Sequence, residues 1–427
     1  MSHWNHRKLL VVDVAALSEP FDWKNLSFQT AQTVLPAVTC TVQASFRTAA
    51  WPDGHGMIAN GLFHRDLRKV MFWEQSARLV AGERIWSGLR GRGGKVAMLF
   101  WQQSLGEDAD VVLSPAPIHK HHGGMIQDCY GQPDGLYGHL CRKVGKPFSL
   151  RHYWGPMASH KAGDWIAKAT AAVLADRDLA PNLCLTYLPT LDYDLQRHPP
   201  DAAKVQIARS ALENQLRELL VAGRREGYET LIFGDYRIGP VDRAAMPNRI
   251  LAEAGLLKMR PVKDMLYPDL YASRAFAMVD HQVAHVYVPD PAHIGPTRDL
   301  LSQMPGVGEV MDKEAQRAAH VAHPNAGELL LQAEPGTWFA YPWWSRPREA
   351  PDYAAHVDIH SKPGYDPCEL LWGWPPGSIG RDPGRICGSH GLAGPDNRVV
   401  WGATMEVPGP IDNLVDLAGA VRKWIDE

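Results

Sequence analysis

The sequence has nearly equal numbers of positive and negative residues, and it has few cysteines. The lack of net positive charge and the lack of cysteine pairs each exclude a class of protein. Lys and Arg number 44 against 47 Asp and Glu, which gives a net charge of −3. Proteins that bind nucleic acid through its phosphates carry clustered positive charge, so we expect no nucleic-acid partner. The six cysteines include no CxxC pair, which indicates reduced thiols in a cytoplasm-like compartment rather than a disulfide framework.

Long apolar runs are also missing. None approaches the ~20 residues that a membrane-spanning helix needs. Residues 1–8 lead into a strand-like segment rather than the apolar core of a signal peptide, and the chain has no internal repeat or low-complexity linker. We therefore expect a cytoplasmic protein with no membrane partner, and the sequence leaves its oligomeric state open.

Short apolar runs rich in β-branched residues alternate with helical patterns. We predict strands at 8–14, 95–101, 182–188 and 230–233, and the clearest helix at about 201–226. A strand, a long helix and a second strand form the βαβ unit, which favours a parallel sheet covered by helices. The predicted fold is a three-layer α/β/α sandwich around a mainly parallel central sheet.

The pattern changes after about residue 255. Stretches rich in proline and aromatic residues, such as 336–344 and 372–377, are not typical of regular elements. We predict an α/β core over 1–255, an insertion or lid mixed with core elements over 256–385, and a return to the core over 386–427. The aromatic residues of the lid either stack on a base or sugar of a substrate or pack the insertion itself.

Thr39 lies where a strand-to-turn segment passes into a helix. Pro36 blocks a helix around itself, and the helical run 40–48 follows, so we predict that the Thr39 hydroxyl caps this helix. A helix start offers unpaired N–H groups and partial positive charge, which favours a bound phosphate. At this point Thr39 is either an ordinary cap or a nucleophile whose pKa is lowered by a metal.

Acidic residues stand at the ends of three predicted strands. Asp13 ends the first strand, Asp192 and Asp235 follow two others, and His390 comes late in a Gly-Ser-His-Gly segment. The carboxyl ends of parallel strands meet at one crevice, so these side chains are expected to converge there. Oxygen ligands with an added imidazole suit Zn, Mn or Fe in a two-metal site for phosphoryl transfer.

The residues after Thr39 follow a recognisable register. Pro52 is the thirteenth residue on, His55 followed by Gly56 the sixteenth, and Asn60 the twenty-first. In these residues the chain resembles the alkaline phosphatase superfamily and, within it, the nucleotide pyrophosphatase/phosphodiesterase (type I phosphodiesterase) branch. The resemblance implies an alkaline-phosphatase-like fold and two divalent metal ions, with Zn favoured and Mn or Fe as alternatives.

The resemblance also implies roles for the matching residues. Thr39 would attack phosphorus and form a phospho-threonyl intermediate, and Asn60 would donate to a non-bridging phosphate oxygen. The substrate would be a small nucleotide-like or sugar-phosphate-like molecule, cleaved at a phosphodiester or pyrophosphate bond. The implied metal ligands are Asp13, Thr39, Asp192, Asp235 and His390.

Two residues depart from the family pattern. Gln196 stands where the family has a histidine four residues after the aspartate, and Tyr236 stands where it has a histidine next to Asp235. The expected shell of six residues therefore lacks two imidazoles. Asp194 and His198 offer one shifted replacement pair.

The segment 280–285 offers further replacements. We expect His281 to complete the shell, with Asp280 or His285 beside it. Val283, Val286 and Val288 predict a strand here, and on a strand His281 and His285 share one side. For each histidine, a hydrogen-bonded structural role remains an alternative.

A third polar cluster follows a proline-rich loop. It either binds a phosphate or carboxylate of the substrate or is a solvated loop. Its members are His119, Lys120, His121 and His122.

Two other functions remain open. One is a phosphonate or phosphomonoester hydrolase of the same superfamily. The other is a non-catalytic member that binds a nucleotide or sugar phosphate, which Gln196 and Tyr236 favour. A sulfatase is disfavoured because Cys40 is not followed by the Pro and Arg of the motif that forms the sulfatase cofactor.

Overall fold

An eight-stranded sheet forms the centre of the computed structural model, which describes residues 7–23, 26–121 and 124–427. The strands are β1 (Leu9–Val14), β2 (Phe28–Ala31), β3 (Gly61–His64), β4 (Lys69–Phe72), β5 (Val96–Leu99), β6 (Val111–Pro115), β7 (Ile118–His119), β8 (Met125–Ile126), β9 (Cys129–Gln132), β10 (Leu183–Leu188), β11 (Glu229–Gly234), β12 (Gly239–Pro240), β13 (Arg243–Ala245), β14 (Met259–Val262), β15 (Met265–Pro268), β16 (Phe276–Asp280), β17 (Val283–Tyr287), β18 (Val307–Met311), β19 (Leu329–Ala333), β20 (Thr337–Phe339), β21 (Gly388–Ser389) and β22 (Val399–Ala403). The α-helices are α1 (Thr39–Thr48), α2 (Pro52–His55), α3 (Ser87–Gly91), α4 (Leu136–Val144), α5 (Leu150–Tyr153), α6 (Lys161–Leu174), α7 (Asp192–Arg197), α8 (Ala203–Arg225), α9 (Pro247–Glu253), α10 (Ile294–Ser302), α11 (Lys313–Ala318) and α12 (Leu414–Asp426).

The central sheet is mainly parallel, as predicted. Its strand order is β2-β22-β11-β1-β10-β5-β6-β9. The five neighbours from β11 to β6 run parallel, whereas β22 and β9 pair antiparallel with the adjoining strands. Strand β1 lies inside this parallel block, and its register places Asp13 opposite Tyr187 of β10 and Phe233 of β11.

Alternate residues of β1 pack on opposite faces of the sheet. Leu10 and Val12 belong to an apolar cluster with residues of α6 and α8, while Leu9 and Val11 belong to a cluster with residues of α1 and α12. This alternation follows from the two-residue period of a strand, and burying each such side chain contributes about 1.5–3 kcal/mol. The predicted three-layer sandwich is confirmed.

Helix α1 is fixed over the face of the sheet to which Asp13 also points. Phe46 of α1 stacks on Phe233 of β11, with ring centroids 4.5 Å apart and ring planes 9° from parallel. Gln43, near the middle of the same helix, donates to Asp13 Oδ2 over 2.7 Å. The start of α1 is thereby held at the carboxyl end of the sheet.

The segment predicted as an insertion carries a second, antiparallel sheet with the order β16-β17-β19-β18. Its apolar cluster includes Met57 and Phe63 from the first part of the chain as well as Phe339 and Trp343. Those aromatic side chains therefore pack the interior, whereas Trp372 and Trp374 are exposed. The stretch 336–344 is partly regular, because 337–339 form β20 and pair with β13.

The cysteines and the helices test the expectations of no disulfides and no membrane span. All six cysteines are unpaired thiols. Among residues 7–23, 26–121 and 124–427, no helix combines the length and the apolar character needed to cross a bilayer.

Candidate active site

Three aspartates meet at the carboxyl end of the parallel strands. Asp13 lies within β1, Asp235 directly follows β11, and Asp192 is the first residue of α7, shortly after β10. All three are buried. Burial raises the pKa of Asp235, and the negative charges of Asp13 and, more weakly, Asp192 raise it further, so the three carboxyl groups form one electrostatic cluster.

Asp13 and Asp235 each keep one buried oxygen without a hydrogen-bond partner. Asp13 Oδ2 accepts from Gln43, and Asp235 Oδ1 accepts from the backbone N–H groups of Ala16 (3.1 Å) and Tyr236 (2.8 Å). Asp13 Oδ1 and Asp235 Oδ2 have no partner. Burial raises the pKa of Asp13 to about 8, and burial followed by the charge of Asp13 raises the pKa of Asp235 well above its usual range. This pair therefore favours a bound proton or a cation.

A glycine makes the contact between Asp235 and the loop after β1 possible. A Cβ at Gly234 would overlap the carbonyl oxygen of Leu17. Because glycine lacks this atom, the loop approaches the end of β11 closely enough for Ala16 N–H to reach Asp235 Oδ1.

Asp192, in contrast, has both oxygens occupied. Tyr236 donates its phenol to Asp192 Oδ1 over 2.9 Å, and Gln196 donates its amide to Oδ2 over 2.8 Å. The Gln196 Oε1 accepts in turn from the Tyr365 hydroxyl at 2.9 Å. Burial raises the pKa of Asp192 to about 6, although the hydrogen bonds from Tyr236 and Gln196 lower it. The two residues that replace the expected imidazoles therefore hydrogen-bond to the carboxylate.

Four rings form a column beside these carboxylates. Centroid distances are 3.7 Å from Tyr365 to His281, 3.7 Å from His281 to His390, and 3.5 Å from His390 to Tyr236. His390 Nδ1 donates to the carbonyl oxygen of Ala37 over 2.7 Å, and its Nε2 is 3.9 Å from Asp192 Oδ1. We call these four side chains the ring column.

His281 does not lie on a strand, so the expectation that it shares a strand face with His285 is wrong. It occupies the turn between β16 and β17 with a φ of 62°, a left-handed conformation that suits a tight hairpin turn. His285 does lie on β17, but both of its ring nitrogens are engaged. Its Nε2 bonds to Ile58 O at 3.0 Å, and its Nδ1 accepts from Gly327 N at 3.3 Å.

Asp280 connects His281 to Asn60. Asp280 Oδ1 lies 2.7 Å from His281 Nδ1 and accepts from Asn60 Nδ2 at 3.2 Å, while Oδ2 accepts from Asn60 N at 2.7 Å. The side-chain oxygen of Asn60 accepts from Cys40 N, in the first turn of α1, over 3.0 Å. Asn60 thus braces the start of this helix against Asp280.

Thr39 is the first residue of α1 rather than its cap. Val38 holds the N-cap position with φ −134° and ψ 152°, and no side chain caps the helix, so the predicted capping role of Thr39 is wrong. The Thr39 hydroxyl instead donates to the Tyr236 hydroxyl over 3.5 Å, at the outer limit for a hydrogen bond. Because Tyr236 donates on to Asp192, a continuous chain of hydrogen bonds joins Thr39 to that carboxylate.

His55 is buried and hydrogen-bonded at both ring nitrogens. Met57 N–H donates to Nδ1 over 3.1 Å, so Nε2 carries the proton and donates to Ser45 Oγ over 2.8 Å. Burial, followed by the positive charge of Arg47, lowers the pKa of His55 from 6.5 to about 3. His55 therefore holds the loop before Asn60 in place.

We expect His55 to make the free energy of unfolding decrease as the pH is lowered. A depressed folded-state pKa contributes stability above pH 6.5 that is lost as the pH falls toward about 3. Between pH 7 and pH 4 the wild-type protein should lose about 3 kcal/mol more of its free energy of unfolding than a His55→Gln variant. Urea unfolding of both proteins across this range measures the difference, and parallel pH profiles would contradict it.

The remaining predicted residues lie apart from this cluster. His119, Lys120 and His121 are exposed on and beside β7, where the His119 ring lies 6.3 Å from that of His360. His122 lies outside the described residues. Asp194 forms an ion pair of 2.7 Å with Arg197, and His198 Nε2 is 3.9 Å from Asp194.

Only part of this arrangement suits a metal ion. Within the described part of the chain, no three His, Cys, Asp or Glu side chains form a group that could hold one. The unpartnered oxygens of Asp13 and Asp235 are hard ligands that suit a divalent cation. Asp192 has no unpartnered oxygen. The residues thus fit one cation at Asp13 and Asp235 and do not fit a second at Asp192.

Gln43 and Tyr365 belong to the site but were not among the predicted residues. Gln43 lies four positions after Thr39, on the same helix face, and this spacing is a signal that the sequence offers. Tyr365 reaches the site through the fold of a distant segment, and no local pattern marks it.

Comparison with known proteins extends these observations. A family model described as type I phosphodiesterase / nucleotide pyrophosphatase matches residues 17–366. A search of curated proteins found no match. One similar solved structure is phosphonoacetate hydrolase from Sinorhizobium meliloti 1021 in complex with phosphonoformate, with a TM-score of 0.63 and 15% identity over 98% of this chain and 96% of that chain.

Two more similar structures come from a mouse protein. Murine ectonucleotide pyrophosphatase/phosphodiesterase 5 gives a TM-score of 0.59 and 13% identity over 98% of this chain and 95% of that chain. An inactive variant of it, solved in complex with AMP, gives the same values. At these identities the structures establish a shared fold, and the family match over most of the chain confirms the resemblance seen around Thr39. The chain belongs to the type I phosphodiesterase / nucleotide pyrophosphatase family.

Proposed function

We propose that this protein hydrolyses a phosphodiester or pyrophosphate bond in a small phosphorylated molecule, with Thr39 as the nucleophile. The observation that carries the proposal is the hydrogen-bond chain from Thr39 through Tyr236 to Asp192. It begins at the first residue of a helix, where the helix dipole favours a phosphate. Covalent catalysis needs a base that can take the proton of the nucleophile, and here the Tyr236 hydroxyl connects Thr39 to the Asp192 carboxylate.

The hydrogen-bond chain gives each proton a place to go. As Thr39 Oγ1 forms a bond to phosphorus, the bond from phosphorus to the leaving oxygen breaks. The Thr39 proton passes to the Tyr236 oxygen while the Tyr236 proton passes to Asp192 Oδ1. Water then attacks the phospho-threonine, and the released Thr39 oxygen recovers its proton through the same chain. General base assistance of this kind contributes about 10²–10⁴ in rate.

Asp13 and Asp235 are the residues that would hold a cation next to the reacting phosphate. Their two unpartnered oxygens would hold one divalent cation, with Gln43 orienting Asp13 from the helix that carries Thr39. When bound there, a divalent ion would supply positive charge to the phosphate oxygens. Its identity, Zn, Mn or Fe, is part of the proposal to be tested.

Thr39 and the ring column are both buried. Thr39 is 4% exposed, and so is Tyr365, which lies at the end of the column opposite Tyr236. The recess beside Tyr365, lined by aromatic side chains that include Trp73 and Trp154, has a volume of about 10 Å³, about that of one water-sized probe. The proposed reaction therefore includes a local opening that lets a substrate reach Thr39.

The test is a substrate screen with a covalent readout. Protein loaded with Zn, Mn or Fe in turn is assayed against nucleoside diphosphate sugars, dinucleotides, phosphodiesters and phosphonates. Turnover of one class, with phosphorylated Thr39 trapped by acid quench and found by mass spectrometry, is the expected result. Turnover without any label on Thr39, or no turnover of any substrate, would contradict the proposal. Turnover of phosphonates alone would favour the phosphonate hydrolase alternative.

A second candidate function is non-catalytic binding of a nucleotide or sugar phosphate. The positions of Tyr236 and Gln196 favour it, because both residues donate hydrogen bonds to Asp192 where imidazoles would ligate a metal. This alternative predicts that AMP or a sugar phosphate binds with a measurable Kd while every substrate in the screen remains intact.

Asn60 provides a separate prediction. Asn60→Ala removes the acceptor of Cys40 N–H and the donor to Asp280, so the start of α1 loses its brace and kcat should fall by about 10²–10³. Asn248→Ala is the matched control, because that buried amide bonds to both backbone groups of Ala277. The control should lose similar stability yet keep kcat. Equal kcat in both variants would contradict this role for Asn60.

A further inference from the structure

The buried carboxylates of the site differ in whether their oxygens have hydrogen-bond partners. Asp13 and Asp235 each have one oxygen without a partner, whereas Asp192 has none. Asp13 and Asp235 are each fully buried. Asp13 lies in β1 and Asp235 directly follows the neighbouring parallel strand β11, and after burial the charge of Asp13 is the next contribution to the raised pKa of Asp235. A buried oxygen without a partner costs free energy, and two of them beside one another cost more if both are ionised. A cation between them satisfies both oxygens and removes the repulsion.

Asp192, in contrast, has no oxygen without a hydrogen-bond partner. The Tyr236 phenol and the Gln196 amide satisfy its two oxygens at 2.9 and 2.8 Å. These two donors are fixed in turn: the Tyr236 ring lies flat on His390, 2° from parallel, and Gln196 accepts from Tyr365. The positions that would supply two further ligands to a cation at Asp192 instead hold a phenol and an amide, and both groups donate to the carboxylate.

We infer that this protein binds a single divalent cation, between Asp13 and Asp235, and that Tyr236 and Gln196 take over at Asp192 the stabilising role of a second ion. Each neutral donor satisfies one carboxylate oxygen without bringing positive charge. The inference deepens the proposed function and rests on its cation at Asp13 and Asp235. It assigns Tyr236 and Gln196 as the residues that set the number of bound ions.

The test counts bound ions rather than turnover. Protein freed of metal by a chelator is titrated with Zn²⁺ or Mn²⁺, and the stoichiometry is measured by calorimetry and by elemental analysis after dialysis. We expect one equivalent for the wild-type protein. Asp235→Asn should lower it to none, whereas Asp192→Asn, the same change of carboxylate to amide, should leave it at one.

A gain of binding provides the complementary test. The double substitution Gln196→His with Tyr236→His replaces both neutral donors by imidazoles beside Asp192 and His390, and it should raise the stoichiometry to two equivalents. If this variant does not fold, the stoichiometries of the Asp235→Asn and Asp192→Asn variants still test the inference. Two equivalents in the wild-type protein, or loss of the ion in Asp192→Asn, would overturn the inference.

The count is independent of catalysis. One equivalent of cation without turnover of any substrate would support this inference and contradict the proposed function. Turnover with labelled Thr39 and two equivalents of cation would support the proposed function and overturn the inference.

Discussion

Replacing Thr39 with alanine is expected to abolish turnover and leave the protein folded. The Thr39 side chain caps no helix, because Val38 occupies the N-cap position, and its hydroxyl makes only a long hydrogen bond of 3.5 Å to Tyr236. Loss of that bond should cost no more than about 1 kcal/mol. Loss of the nucleophile should lower kcat by about 10⁴ or more.

Thr41 provides the control for this experiment. It is buried in the same first turn of α1, and its hydroxyl has no hydrogen-bond partner. Thr41→Ala should therefore keep both the fold and kcat. Thr39→Ser retains a nucleophilic hydroxyl and should retain a measurable rate. A Thr39→Ala variant that keeps more than about a tenth of wild-type kcat would show that Thr39 is not the nucleophile.

Removal of the Tyr236 hydroxyl should have the next largest effect. Tyr236→Phe keeps the ring that stacks on His390 but breaks the hydrogen-bond chain from Thr39 to Asp192. Because Thr39 then has no route to a base, kcat should fall by about 10²–10⁴. Substrate affinity should change little, since the phenol acts on the nucleophile.

The matched control removes a buried tyrosine hydroxyl elsewhere. Tyr228 donates to the carbonyl oxygen of Pro181 over 2.6 Å, and Tyr228→Phe deletes the same atom outside the site. Tyr228→Phe should lose about 1 kcal/mol of stability from one hydrogen bond. Tyr236→Phe should lose about 1–3 kcal/mol, because it also leaves Asp192 Oδ1 without its donor, and only Tyr236→Phe should lose rate. Comparable values of kcat in the two variants would rule out the hydrogen-bond chain as the route for the proton.

The sequence predicts those parts of the structure that local pattern controls. Continuous apolar runs predict β1, β10 and β11, and the predicted helix at 201–226 is α8, Ala203–Arg225. Three acids meet in one crevice because the carboxyl ends of parallel strands share one edge of the sheet. These features depend on periodicity and topology, both of which a single sequence carries.

The side-chain partners depend on packing between distant segments, and local pattern does not predict them. Nothing near Asp192 shows that Tyr236 and Gln196 would hydrogen-bond to it. Val283, Val286 and Val288 predict a strand that includes His281, yet that residue occupies a tight turn between β16 and β17. Thr39 was predicted as a cap because the helix start was placed one residue late, within the usual uncertainty of helix ends.

The position of β22 has a consequence for how the chain is made. Val399–Ala403 pair with both β11 and β2, and His390 bonds to Ala37, so the last tenth of the chain completes contacts begun in the first. During synthesis from the N-terminus, β11 therefore has an unpaired edge until residues 399–403 have been made. Exposed edges of this kind recruit other strands. The nascent chain is thus open to wrong strand pairing at β11 until β22 covers that edge.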